Sequence, residues 1–231
     1  MSLATSIEGA EDEAQLHLLR LVSMSLPVGG FSYSRGLETA VHLEWVRDED
    51  SAAEWIFGVL QSSFATLDGA LFWRMITALD AGDCERFLHA DAWLAASRET
   101  RELQTEDRRQ GEALMRLLTD LSVPSALELR HRTRTFAGAF SLAASHWRVS
   151  PSHALPGLLW IFVEAQVMSA VRLVPLGQTA GQQLLIAAAG PIRHAAATAR
   201  TLLDEHIGAT APALALASAW HETQYNRLYQ S

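Results

Sequence analysis

Nine histidines, one cysteine and 26 carboxylates are the side chains here that could bind a metal or move a proton. No HExxH or HxH pair is present, and a nickel or zinc site needs ligands converging from one helix face or from facing helices. His221 stands beside Glu222, but adjacent residues leave a helix on different sides. A structural or solvent-facing His221 is expected rather than a metal ligand. Cys84 and His89 are five apart and badly placed for one helix face, so Cys84 is expected to be a small buried hydrophobe. There is no GxSxG elbow, and Gly29 and Gly30 form no GxGxxG after a strand. All 18 basic residues are arginine. The lack of lysine removes Schiff-base chemistry and any P-loop, so the chain is not itself a conventional GTPase or ATPase. One carboxylate, Glu164, lies among Trp160, Ile161, Phe162, Val163 and Val167. Buried there it needs a partner or a raised pKa. Pairing with an arginine of another helix is favoured over a catalytic acid. The chain therefore reads as a non-enzyme with no cofactor, no catalytic residue and no metal ligand of its own.

Two stretches stand out against the helical background. Residues 26–38, LPVGGFSYSRGLE, combine Pro27, Gly29, Gly30 and Gly36 with Phe31, Tyr33, Ser34, Arg35 and Glu38. Proline disfavours helix at the preceding residue and glycine permits backbone angles closed to other residues, so this segment needs outside support. It is expected to be a docking surface or, on the plainer reading, a turn with inward aromatics. The second stretch is the polar, aromatic tail from His221 to Ser231, HETQYNRLYQS.

The elements that must position these stretches read as helices throughout, with almost no strand signal. Leu16, Leu19 and Leu26 mark one face of a first helix, and a second runs from about Ser34 to Trp45. Asp50 or Ser51, then Asp68, then Asp83 are candidate caps for the next three. Residues 96–121 alternate in charge and are expected to form a solvated face of weak ion pairs, or else a patch for a partner. Later helices cover residues 133–147, about 150–174, 178–189 and 192–206, with the proline in Ser150-Pro151 suited to a first turn. The fold expected is all-α, a single globular domain of about eight to ten helices over residues 16–220. It lies between a mobile acidic lead-in (1–15) and a C-terminal tail (221–231).

Composition agrees with a body of this kind. The chain has 231 residues, 49% of them hydrophobic, enough for a substantial core. The net charge of −8 argues against nucleic-acid binding. Acidic residues 8 and 11–13 have the wrong sign for a leader, and the most apolar run, residues 155–163, is too short for a membrane span. A single cysteine fits a cytoplasmic setting.

Five blocks in order, LPVGGFSYSRGLE, the tryptophan-bearing helix after Asp50, ASRETRELQTEDRRQGEAL, PLGQTAGQQLL and HETQYNRLYQS, closely resemble the urease accessory protein UreF family. The resemblance covers nearly the whole chain apart from residues 1–15, and Arg35 departs from the smaller or amide side chain expected there. It implies a chaperone of urease maturation that pairs with a UreD/UreH-type accessory protein, recruits the nickel-carrying GTPase UreG, and docks on apo-urease. Nickel would then be handled only transiently, by the assembly. It implies a tail that orders on partner binding near the turn, bringing Tyr225 and Arg227 towards Phe31 and Tyr33. Partner-binding residues would then be Pro27, Gly29, Gly30, Phe31, Tyr33, Ser34, Arg35, Gly36 and Glu38, with His221, Glu222, Gln224, Tyr225 and Arg227. An alternative is a GTPase regulator acting on UreG with Arg35 or Arg227 in trans. Self-association through Leu214, Leu216 and Trp220 would give a homodimer within the complex.

Overall fold

Two helices, α4 (Gly69–Asp80) and α9 (Pro151–Leu173), sit at the centre of the packing. The computed structural model describes the backbone of residues 2–231 and the side chains of residues 9 and 11–231. Around the centre lie α1 (Ser2–Val22), α2 (Leu37–His42), α3 (Glu49–Val59), α5 (Cys84–Ala96), α6 (Arg101–Asp120) and α7 (Pro124–Leu129). They are followed by α8 (Phe136–His146), α10 (Gln178–Ala187), α11 (Ala189–Thr201) and α12 (Pro212–His221). No strand occurs among the described residues, so the fold is all-α. Setting aside the two six-residue helices, α2 and α7, ten remain. From Ser2 onward the backbone expected as a lead-in (1–15) is part of α1; Met1 and the side chain of Glu8 lie outside the described residues.

Local sequence sets several boundaries. Asp48 caps α3, accepting from the Ser51 amide at 2.9 Å while the Ser51 hydroxyl accepts from the Asp48 amide, so the cap lies ahead of the position expected at 50 or 51. Asp83 caps α5 through the Arg86 amide, as its position suggests. Thr100 and Thr135 cap α6 and α8. Asp68 does not cap α4: α3 passes through a π-helical stretch, Leu60–Asp68, into α4 without a break. The extra backbone per turn of a π stretch rotates the faces that follow, and here Phe64 and Asp68 are buried from it. Inside α9, Pro156 cannot donate to the Ser152 carbonyl, and the Arg200 guanidinium donates to that oxygen at 3.0 Å instead. Although α9 is long and apolar enough to cross a membrane, most of it is enclosed by the other helices.

Several expectations are corrected. Leu16 and Leu19 are 67% and 60% exposed; the buried face of α1 carries Leu18, Leu21 and Val22. The run LHLLRLV offers two leucine stripes, and the one facing Gly157 packs, where a side chain would meet Leu18 at 2.8 Å. Cys84 is exposed at the first residue of α5. The stretch from 96 to 121 is not simply a solvated face, because Arg98, Glu106, Asp107 and Gln110 are buried. Gly190 and Pro191 open α11 rather than separating two helices by a loop.

Candidate partner-docking site

The segment 26–38 is an irregular bend whose backbone explains its composition. Gly29 and Gly36 have φ of 71° and 78°, in the left-handed region that glycine enters without penalty. At Gly36 space adds a second demand, since a Cβ would lie 3.2 Å from Ala217 and 3.3 Å from the Ser218 amide of α12. Arg35 shares the left-handed region at φ 54° despite its side chain, a conformation that costs about 1–2 kcal/mol. It is held there at both ends. Its amide donates to the Ser231 carbonyl at 3.1 Å, and its Nε donates to Glu106 Oε1 at 2.9 Å with the guanidinium over the Phe64 ring.

The tail closes over this bend. The Ser34 amide and hydroxyl both donate to the Ser231 carbonyl, and the Gln230 amide donates to the Ser32 carbonyl at 2.8 Å. Glu38 accepts from the Leu228 amide at 2.6 Å and from the Tyr229 amide at 2.9 Å. Ser231 Oγ donates to Glu106 Oε2 at 2.8 Å, and Arg109 donates to the Gln230 side chain at 2.9 Å. Thr39 donates to Gln224 at 3.2 Å. Below, Gln166 of α9 donates to the Ser34 carbonyl at 2.8 Å. Backbone polar groups orphaned by the bend thus find partners in the tail and in α9.

Carboxylates of α2 and α6 hold both pieces. Fully buried His221 has Nδ1 2.8 Å from Glu102 Oε2 and Nε2 3.1 Å from Glu38 Oε2. Burial pushes the Glu102 carboxyl above its ordinary value, and His221 and Arg227 oppose that rise. Deeper in, Arg98 is enclosed by Asp68 at 2.6 Å and Asp107 at 2.8 Å. Burial alone would lower the Arg98 guanidinium, but the Asp107 and Asp68 carboxylates outweigh it and hold it above its usual value. This buried cluster floors a half-open cleft of about 80 Å³ under the bend, walled by Leu26, Phe31, Tyr33, Phe64 and Phe162. Its lining does not include Glu164, which is only half-buried and makes no ion pair with an arginine among the described residues. Because the two ring nitrogens of His221 face different carboxylates, they offer no common point for a metal. Among the described residues no group of three or more His, Cys, Asp or Glu side chains is arranged to hold one.

The sequence-predicted site residues divide into three groups by exposure. Tyr33, Ser34, Gly36, Glu38 and His221 are buried; Ser34 and Glu38 bond the tail, His221 bonds Glu38, and Gly36 packs on α12. Pro27, Phe31, Glu222, Tyr225 and Arg227 are exposed, with Gly29, Gly30, Arg35 and Gln224 between. Tyr225 is 99% exposed rather than stacked on the bend. Arg227 pairs with Glu102 at 2.9 Å and donates to the Glu222 and Gln224 carbonyls, so it satisfies the tail's own backbone, not that of the bend. Both arginines considered for action in trans are thus engaged within the chain. Sequence reasoning missed Glu102, Glu106, Leu228, Tyr229 and Ser231. One signal was available: Glu106 and Gln110 fall on the same helical stripe as Leu103, Leu114 and Leu118, and a charge on a core stripe signals a buried partner.

A protein-family model of UreF matches residues 46–189, well over half of the chain. The chain belongs to the UreF family. The UreF 2 urease accessory protein of Brucella anthropi is 58% identical over 217 residues, 94% of this chain and 96% of that protein. UreF of Alkalilimnicola ehrlichii is 42% identical over 94% of this chain and 96% of its own length. UreF of Marinomonas sp. is 40% identical over 94% of each. These UreF relatives are named accessory proteins. The family-model match covers α3 to α10, while the alignments with the relatives extend over most of the chain.

Proposed function

We propose that this UreF-family chain is a maturation chaperone of the cytoplasm, bridging a UreD/UreH-type accessory protein and the GTPase UreG on apo-urease so that nickel reaches the urease site. The observation that carries this reading is the union of tail and bend into one surface. Buried Glu38, His221, Ser34 and Tyr229 fix its shape, and exposed Phe31, Tyr225 and Leu228 stand out from it. Such aromatic and aliphatic groups on a rigid base are the usual anchors of a protein interface. Nickel passes through the assembly without a private site on this chain, which the ligand arrangement around His221 supports. Leu216 and Trp220, both half-exposed and the latter beside Trp45, suit contact with a second copy in the complex, whereas Leu214 is buried.

The test is co-expression of the accessory proteins and apo-urease with a chain lacking residues 222–231. His221 is retained because its ring fills the core. The truncated chain keeps its helical circular dichroism, but UreG no longer co-purifies and urease activity is lost. Normal UreG capture by the truncated, folded chain overturns the proposal.

A further inference from the structure

Four polar side chains line the cleft under the bend and keep hydrogen-bonding atoms that the fold does not use: Tyr33, Arg35, Gln110 and Gln166. Arg35 engages Glu106 through Nε, and neither terminal nitrogen of its guanidinium has a hydrogen-bond partner among the described residues. Gln166 and Gln110 donate to the Ser34 carbonyl and to Glu106, which fixes the orientation of both amides and leaves each Oε1 as a free acceptor. The Tyr33 hydroxyl likewise has no partner among the described residues. Tyr33, Gln110 and Gln166 are more than nine-tenths buried, yet none of these atoms is sealed inside the protein. Two irregular backbone features meet at the same cleft. Arg35, in the left-handed region, lays its guanidinium over Phe64, and the π-helical stretch supplies Phe64 and Asp68 to the lining. Irregularities of both kinds gather at functional sites.

We propose that this cleft binds a carboxamide group carried on a compact apolar body. The pattern of donors and acceptors selects the head. The guanidinium edge and the tyrosine hydroxyl donate to a carbonyl oxygen, while the two glutamine Oε1 atoms accept from an NH2 group. Charge disfavours heads of the same shape. Each oxygen of Asp68, Asp107 and Glu106 already receives a donor, so a cationic head meets the free edge of Arg35 instead of a free carboxylate oxygen. These three carboxylates outnumber Arg35 and Arg98, and the excess negative charge of the floor opposes an anionic head where little water screens it. Size limits the ligand. The cleft of about 80 Å³ is several times the about 10–15 Å³ that admits one water, which suits a planar head of a few atoms. Leu26, Phe31 and Phe162 give the body an apolar wall. The site itself stands apart from the docking reading above; only the source of the amide, a free molecule or an Asn or Gln side chain of a docked partner, rests on it.

The experiment titrates the whole chain at neutral pH with three probes of one shape, benzamide, benzoate and benzamidinium, whose planar heads are neutral, negative and positive. Nuclear magnetic resonance follows the side-chain NH2 signals of Gln110 and Gln166, which are expected to shift saturably with benzamide. Benzoate and benzamidinium are expected to bind at least about tenfold more weakly. Tyr33→Phe removes a hydroxyl that bonds nothing among the described residues, so it is expected to melt as the unmodified chain does and to bind benzamide with at least about threefold lower affinity. No saturable shift, a charged probe that binds as tightly as benzamide, or unaltered affinity in the folded variant overturns the site. If the variant fails to fold, the ranking of the three probes on the unmodified chain decides. A last arm separates the sources. Saturating benzamide that lowers capture of UreG or of the UreD/UreH-type protein assigns the amide to a partner's side chain, and unchanged capture assigns it to a free molecule. Capture that fails without any probe counts against the docking reading alone, because the titration contains no partner.

Discussion

Arg98 is the charge most dependent on its neighbours, buried between two carboxylates. Asp68→Ala leaves half of that guanidinium unpaired, and breaking a buried pair costs about 3–5 kcal/mol. Urea denaturation is expected to report a loss near the lower figure, since Asp107 remains. Glu112→Ala, which breaks an exposed pair with Arg108, is expected to change stability by less than about 1 kcal/mol. Glu164 tests the opposite situation, a carboxyl pushed up by burial, with a Trp160 hydrogen bond pulling the other way. Its folded value lies above its unfolded one, so its contribution is full below the ordinary 4.5 and is lost as pH rises through the raised value. Denaturation midpoints at mildly acid and neutral pH are expected to differ less in Glu164→Gln than in the unmodified chain. At this scale the sequence was partly legible. Glu38, Ser34 and His221 lie in the two stretches that stand out in the sequence, but their partners were not readable, because pairing across 183 residues between His221 and Glu38 leaves no local trace.

Among the elements, helix order and most boundaries were readable because capping and proline chemistry are local: Asp83 and Ser150-Pro151 start helices where their types say they should. What was not readable depends on a second surface. The two leucine stripes of α1 are equivalent in pattern, and only the space opposite Gly157 decides between them. The π-helical stretch at residues 60–68 likewise has no sequence mark, yet it places Phe64 under Arg35 and Asp68 against Arg98. Close helix approach gives the prediction for this scale. A Cβ at Gly111 of α6 would lie 2.8–3.0 Å from the backbone of Thr135 and Phe136 at the start of α8, atoms with no freedom to withdraw. Gly111→Ala is expected to lower stability by about 1–3 kcal/mol, as overpacking does, while Gly177→Ala, with nothing nearby, is expected to be stable to within about 0.5 kcal/mol. Thermal melts of the two variants make the comparison.

Taken whole, the molecule is a helical body that fastens its last ten residues across a bend near its beginning, and this arrangement is the account's central claim. The sequence marked both pieces and the family resemblance implied their meeting through Tyr225 and Arg227, whereas Tyr229 and Ser231 are the inward residues and Tyr225 and Leu228 face outward. Surface side chains that stand clear of the fold contribute little to its stability. A Tyr225→Ala, Leu228→Ala double variant is therefore expected to melt as the unmodified chain does while losing UreG capture. The most direct measurement is hydrogen exchange across the whole chain, alone and in the proposed complex with a UreD/UreH-type protein and UreG. The account predicts new protection at residues 29–38 and 224–231 together, appearing and disappearing as one. Protection confined to one of these segments, or centred on a distant helix such as α7, would contradict it.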